Sequence, residues 1–483
     1  MEIRQVKRRN LLAYGFGEFY GGGSFVVISL LFMFFLTDVV KLSPALAGLV
    51  VLVGKFWDAI SDPLMGYISD NMRTRFGRRR IFFLIGIIPV AVTFTILWIS
   101  MQFPSDYATF AYYSISYVLF STIFTMVMIP YRALNAEMTY DYAVRTRLTG
   151  VKMIFSQVSS LICATVPKLI VDRLYPGDPE KGFMVMGIIF GLFFALPWII
   201  VYVGTWEIAT TDGGDWAGIN FLKGFLSLFK NRSYRIQMGL YISAYSALDL
   251  LMAMFIYYLT YYILRPEIYS LCLGAMFVTS ISVMAAYVYL ANKRGKGFAF
   301  IVGLVIWGTG MLLSLLLSSS TPTWMIVALT MLIGLGLSSG VLMPWAMLPS
   351  IIDVDELITG KQRAGICSGA MTLLRKIVQS FVLFLFGVLL ELIGYVPSVP
   401  QQPHTLFWIK VTFFLAPSIL IILGILFASR FGITPKTHAL LKDELERLRS
   451  GGRKDEVEPA TKIVCETLSG LPYEKLFPRG KKE

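Results

Sequence analysis

Residues 51–80, VLVGKFWDAISDPLMGYISDNMRTRFGRRR, set two carboxylates inside an apolar run and follow it with Arg73, Arg75, Arg78, Arg79 and Arg80. Asp58 and Asp62 are four residues apart, so on a helix they share one face, one turn above the other. A bilayer makes such a pair costly unless something compensates it, which marks the two acids as a functional site. Paired carboxylates in an apolar span read as a cation site in a transporter, and the arginines that follow read as the loop by which the helix leaves the membrane.

Composition places the whole chain in the same class. Of its 483 residues, 56% are hydrophobic and only 15% charged, and the mean hydropathy of +0.67 is far above that of an ordinary soluble domain. The formal net charge of +13 does not point to nucleic acid, because the basic residues sit in short loops between apolar runs rather than on one polar face. Cys163, Cys272, Cys367 and Cys465 are too far apart to read as a disulfide framework or a metal cluster. The first apolar run is too long for the hydrophobic region of a signal peptide and is expected to stay in the protein.

Apolar spans fall near 11–37, 44–69, 81–101, 107–131, 150–172, 183–205, 237–264, 269–290, 297–320, 323–350, 364–395 and 405–431. Each is about the ~20 residues that a bilayer requires, so the expected fold is an all-α membrane protein of twelve transmembrane helices in two six-helix bundles. Basic residues crowd the N-terminus, the loop at 73–80, the central loop and the loop at 293–296, while the alternate loops are poor in them. That bias predicts both termini on the cytoplasmic side of the plasma (inner) membrane. The expected organisation is a first bundle over 1–205, a linker over 206–236, a second bundle over 237–431 and a cytoplasmic tail over 432–483. Within the linker, Thr210–Gly214 reads as a polar turn and Gly218 to Phe229 as an amphipathic helix lying on the membrane. A charged helix is expected near Lys436 to Arg449, with a tail that is structural or disordered at its end.

The two halves look duplicated. Pro130, Tyr131, Leu134, Asp141 and Arg147 recur as Pro344, Trp345, Leu348, Asp355 and Lys361 at one constant offset, and the basic loop has an echo in Lys293-Arg294-Gly295-Lys296. Two parallel repeats imply a substrate site near the bilayer midplane between them, exposed alternately to each side.

Gly66-Tyr-Ile-Ser-Asp70 followed by Arg75-Phe-Gly77-Arg-Arg-Arg80 resembles the loop signature of the major facilitator superfamily. Within it, Trp57-Asp58-Ala-Ile-Ser-Asp62-Pro63-Leu-Met-Gly66 is similar to the melibiose permease family, the glycoside-pentoside-hexuronide:cation symporters. The resemblance continues through Tyr14-Gly-Phe-Gly17, Thr37-Asp38-Val39, Ile129-Pro130-Tyr131, Arg145-Thr146, Pro344-Trp345-Ala-Met-Leu348-Pro349 and Leu374-Arg375-Lys376. It implies a cation-coupled symporter with the coupling ion at Asp58 and Asp62, joined by Thr125, and with Ser61 where the family has an asparagine. It also implies that Lys376 links the cation site to the gate.

Elementary chemistry is consistent with that assignment. Hard cations such as sodium prefer oxygen ligands, which Asp58, Asp62, Ser61 and Thr125 supply. Two acids this close do not both ionise easily without a cation, so a proton competes for the place, and the coupling ion is Na+ or H+. The bland alternative is that Asp58 and Asp62 pair with Lys55, Lys376 or Arg375 as interhelical glue; pairing and cation binding can alternate in one cycle.

The substrate half departs from the family. Its sugar-binding acids and lysine fall on Gly21, Gly22 and Met128, and a stacking tryptophan falls on Arg132. Candidate substrate residues are Glu18, Gly22, Met128, Arg132, Lys376 and Asp249. Glu18 reads equally as a displaced carboxylate or as a structural partner, and Gly21-Gly22-Gly23 as close packing or as room for a larger solute. The run at 344–349 is more similar to a branch that includes the lysophospholipid symporters, although Ser350 and Val144 depart from it too. The expected solute is therefore a sugar or glycoside, with a lysophospholipid or other anionic amphiphile as the alternative. A non-transporting receptor or scaffold is the remaining class. Arg75, Arg78, Asp70, Asp141 and Arg145 are expected to form a cytoplasmic latch. Tyr257, Tyr258, Tyr261 and Tyr262 are expected as an interfacial belt, and Lys152 near a family arginine. No constellation of an enzyme and no resident cofactor is expected; the expected partners are a small organic solute, the coupling cation and the lipid bilayer, with the protein a monomer.

Overall fold

The computed structural model describes residues 6–139, 142–207, 224–361, 363–397 and 399–478. The membrane part is a succession of apolar helices. The first, α1, comprises Arg8–Gly15, Glu18–Val27 and two π-helical turns, Ile28–Phe32 and Phe35–Val39. It is followed by α2 (Pro44–Asn71), α3 (Arg80–Ile96), α4 (Asp106–Glu137), α5 (Tyr142–Leu174) and α6, whose segments Pro179–Ala195 and Pro197–Gly204 meet at Leu196. The second half runs through α7 (Arg232–Tyr257, with a π turn over Tyr258–Tyr262), α8 (Tyr269–Arg294), α9 (Lys296–Leu313), α10 (Thr323–Thr359), α11 (Ala364–Leu392) and α12 (Pro403–Ser429). Among the described residues 11 helices are long and apolar enough to cross a membrane. The twelfth, α3, is shorter than the sequence predicts, because it ends at Ile96, seven residues after Pro89.

The repeat inferred from sequence falls on corresponding helices. Pro130 lies in α4 and Pro344 in α10, six helices apart, and the two basic loops precede α3 and α9. The first helix of each half also ends in a π turn. Such turns widen the helix locally and occur often at functional positions.

Two polar segments flank the second bundle. The amphipathic linker helix is described only from residue 224, with helix over 224–228, and the polar turn at Thr210–Gly214 lies outside the described residues. The tail is more ordered than its composition implies. Helix α13 (Pro435–Arg449) is joined by a second, α14 (Pro459–Ser469), and both dock on the end of α10. His438 Nε2 lies 2.8 Å from Asp353 Oδ2, Arg449 forks onto Glu356 at 2.7 and 2.8 Å, and Phe477 N donates to Leu357 O at 2.6 Å. Leu441, Leu445 and Leu448, spaced four and three apart, form the buried stripe of α13, and that burial keeps the charged segment in place.

Hereafter the face carrying the start of α1, the 2–3 loop and the tail is the terminal face, and the opposite one the remote face. The halves are pinned together at the remote face. Thr37 and Tyr257 share a hydrogen bond at 2.8 Å, and Tyr395 donates to both carboxylate oxygens of Asp38 at 2.7 Å. Tyr261 also donates to Asp38. Gly48 and Gly387 let α2 and α11 cross backbone to backbone: a Cβ on Gly387 would lie 2.3 Å from Pro44 O. Of the tyrosines expected as a lipid-facing belt, Tyr257 and Tyr261 thus join the halves, while Tyr258 is buried inside the second half, donating to Ser314 O at 2.9 Å. The phenol offers both an apolar body and a donor, which suits a protein seam as well as a membrane boundary.

Candidate functional site

Just inside that seal, helices α2, α4 and α11 bring a cluster of charges to mid-bundle. Asp58 is entirely buried, and Ser61 and Thr125 nearly so. Thr125 Oγ1 donates to Asp62 Oδ1 at 2.8 Å, and Ser61 Oγ donates to Thr125 Oγ1 at 3.3 Å. Ser121, one turn before Thr125 on α4, donates to Asp58 Oδ1. The other oxygen of Asp58, Oδ2, is buried and accepts no hydrogen bond among the described residues. Its charged neighbours are the ammonium groups of Lys55 and Lys376, each 3.8 Å away. Lys376 Nζ makes its close contact with Asp62 Oδ2, at 2.5 Å.

All four residues named for the cation therefore converge, within reach of one another and of Lys376. The i, i+3, i+4 spacing of Asp58, Ser61 and Asp62 presents three oxygen groups from one helix, and α4 adds hydroxyls through Ser121 and Thr125. Ser121 was missed in the sequence, where a serine in an apolar helix carries no signal, although its i−4 relation to Thr125 places both on the same face. In this state two ammonium groups hold the carboxylates, as the glue reading requires. The same oxygens are what a hard cation would coordinate. No group of three or more His, Cys, Asp or Glu side chains is placed to bind a metal among the described residues.

A cavity of about 340 Å³ lies beside this cluster, with walls from both halves. Arg132, Asp249 and Lys376 of the proposed substrate residues line it, together with Lys55, Arg375 and Gln379. Much of the remaining wall is apolar, including Phe25, Phe124, Leu248, Met252 and Phe277. Asp249 is fixed rather than free: Arg375 forks onto it at 2.7 and 2.8 Å, and Gln379 Nε2 donates to it at 3.0 Å. Arg132 is solvent-exposed and has no ion-pair or hydrogen-bond partner among the described residues. It marks the side on which the cavity reaches toward the terminal face.

Three expected substrate residues, Glu18, Gly22 and Met128, do not line this cavity. Glu18 is buried and paired with Lys152 Nζ at 3.2 Å, its alternative role as a structural partner. Gly22 packs on α5, where an added Cβ would lie 2.4 Å from Ser156 Oγ, so it serves close packing rather than solute space. Met128 is fully buried, with its methyl 2.4 Å from where a Cβ on Gly21 would stand. A flexible thioether has filled the room that the glycine leaves.

The latch residues divide. Asp141 lies outside the described residues, as do the side chains of Asp70 and Arg145. Arg75 is exposed, its guanidinium 4.7 Å from the Phe76 ring. The backbone N–H groups of Arg78 and Arg79 donate to the carboxylate of Glu207, which follows α6. Glu207 thereby caps the start of α3, a role that sequence reading missed because the two segments are ~130 residues apart. In the second half, Asp355, the counterpart of Asp141, is held by Arg363 in a fork at 2.7 and 2.8 Å.

Comparison with known proteins agrees with this architecture. A family model described as MFS/sugar transport protein matches residues 13–435. An uncharacterized symporter of Synechocystis sp., sll1374, is 27% identical, covering 90% of this chain and 96% of its own. A provisionally named sulfoquinovose importer of Salmonella typhimurium is 25% identical, over 93% of this chain and 95% of its own. Among solved structures, the inward-open xylose transporter XylE from E. coli superposes with a TM-score of 0.61 at 15% identity, over 92% of this chain and 99% of its own, which speaks to the fold alone. This is a multi-pass integral membrane protein and not an enzyme, and the chain belongs to the MFS/sugar transport family, the melibiose-permease-like branch of the major facilitator superfamily.

Proposed function

We propose that the protein is a sodium-coupled symporter that moves a small sugar-like solute by alternating access, with both termini cytoplasmic. The observation that carries this reading is the sharing of Asp62. Its Oδ1 accepts from Thr125 of its own half, while its Oδ2 holds Lys376 of the other half. Sodium at Asp58, Ser61, Asp62 and Thr125 replaces the ammonium of Lys376 as the counter-charge. That exchange removes one tie between the halves and turns Lys376 toward the cavity it lines. A cation that binds one arrangement of the halves better than the other shifts their equilibrium, and solute and sodium then raise each other's affinity by the same factor. On this reading the sealed remote face is the extracellular one, and the cavity opens toward the cytoplasm. Protons compete for the same carboxylates, so sodium affinity falls as pH falls.

The cavity wall also favours a second reading for the solute. Of its cations, Lys55 and Lys376 face Asp58 and Asp62 and Arg375 is held by Asp249, which leaves Arg132 without an acidic partner among the described residues, over a largely apolar surface. That balance suits an anionic sugar derivative or an anionic amphiphile, including a lysophospholipid, by charge complementarity. Relatives bear names that specify sulfonated solutes, sulfoquinovose and 2,3-dihydroxypropane-1-sulfonate. Uptake of methyl glucoside, sulfoquinovose and a lysophospholipid into proteoliposomes, with and without a sodium gradient, distinguishes these cases. Sodium-driven accumulation of one of them is the expected result. Accumulation that ignores sodium but follows a proton gradient would replace the coupling ion, and facilitated equilibration without accumulation would reduce the protein to a uniporter.

A further inference from the structure

A crevice on the outer flank of the first bundle plays no part in the site described above. Near the terminal face α1 and α6 meet at Ala13 and Gly204, where a Cβ on Gly204 would lie 2.2 Å from that of Ala13. Asn10 Nδ2 fastens the crossing by donating to Gly204 O at 2.8 Å. Because the contact is made by residues with almost no side chain, the larger neighbours stand apart and leave about 520 Å³ between them. One wall is Arg9; the other is Ile199, Ile200 and Val203, all exposed on the outside of the bundle, Val203 by 74%. Arg8 is exposed beside Arg9, and neither arginine has an acidic partner among the described residues.

An apolar strip facing outward from a membrane bundle, with an unpaired guanidinium at its terminal-face end, matches one kind of occupant. A water-soluble anion would leave the strip uncovered, and a neutral lipid would leave the guanidinium unpaired. We propose that this crevice binds an anionic phospholipid, with its phosphate against Arg9 and Arg8 and an acyl chain along Ile199, Ile200 and Val203. The phosphate receives charge-assisted hydrogen bonds from the arginine fork. Each basic residue near a membrane surface favours an anionic over a neutral headgroup by roughly fivefold.

The test uses the full chain, purified in detergent and offered equal amounts of phosphatidylglycerol and phosphatidylcholine, with retained lipid counted by native mass spectrometry. With two arginines at the headgroup, wild type is expected to retain phosphatidylglycerol about 25-fold over phosphatidylcholine. Arg9→Glu should bring that ratio to about two or less, and Val203→Trp, which fills the crevice, should reduce retention of both lipids. Arg294→Glu, another exposed basic position at the terminal face, should leave the ratio unchanged. Equal retention of the two lipids by wild type would overturn the proposal, as would equal losses in Arg9→Glu and Arg294→Glu, which would mean general surface charge. Melting temperatures without added lipid identify a misfolded variant, and the two charge reversals decide the matter if Val203→Trp fails to fold.

Discussion

Arg375 and Lys376 are neighbours in sequence, yet they belong to two different kinds of ion pair. Consecutive residues on a helix point ~100° apart. Arg375 therefore faces α7, where it forks onto Asp249 inside the second bundle, while Lys376 faces α2 of the other bundle and meets Asp62. The first pair moves as a unit with its bundle and has Gln379 as an additional donor. The second spans the seam along which the bundles move, and its acid has a hydroxyl partner that remains when the lysine leaves. Adjacent cations on one helix thus divide into a fixed brace and an exchangeable contact, decided by which bundle supplies the carboxylate.

That comparison makes predictions that can break it. The largest effect is expected at the seam: Asp58→Asn or Asp62→Asn should abolish sodium-driven uptake in proteoliposomes while leaving the purified protein folded. Residual sodium-driven uptake in both would place the cation elsewhere. Next comes the brace. Asp249→Asn leaves Arg375 buried without its counter-charge and should destabilise the protein by about 3 kcal/mol, read by denaturation in detergent. The double variant Asp249→Asn, Arg375→Gln should recover much of that loss, and sodium affinity should be unchanged in both. A brace variant that alters sodium affinity would erase the distinction between the two pairs. Third, Lys376→Met removes the internal competitor for Asp62, so sodium should bind about tenfold more tightly while uptake is lost, a split visible by titration calorimetry against transport. Weaker sodium binding would instead make the lysine a supporter of the site. The smallest effect belongs to the remote seal, where Tyr395→Phe removes one of the donors to Asp38 and should cost about 1 kcal/mol. Its signature is faster labelling by a membrane-impermeant thiol reagent of a cysteine introduced at Ser29, which lines the cavity.

Much of this architecture was legible in the sequence because a bilayer imposes its own code. Runs of apolar residues near membrane thickness gave the helices, and the repeat of Pro130 and Pro344 gave the two halves. Asp58 and Asp62 stood out for the same reason: acids in an apolar helix are conspicuous, and their spacing fixes a shared face, whereas Ser61 and Thr125 were reached only through the family resemblance. What was not legible depended on neighbours from distant segments. Glu18 is occupied by Lys152 and Gly22 by Ser156, pairings set by how α1 lies on α5 rather than by any local pattern. The tyrosines after Asp249 read as a lipid belt because composition does not distinguish a phenol at a membrane boundary from one closing a seam. The helix of the tail was legible but its docking was not, because its charge conceals three leucines that bury it.

The most direct test of the exchangeable seam is the thermal stability of the purified protein across sodium concentrations at neutral and mildly acidic pH, comparing wild type with Asp58→Asn and Asp62→Asn. A ligand that binds only the folded state stabilises it by about 2.7 kcal/mol at 100 times its dissociation constant. The account predicts sodium-specific stabilisation of wild type, weaker at the acidic pH and absent in both variants. A wild type indifferent to sodium, or variants that respond as it does, would contradict it.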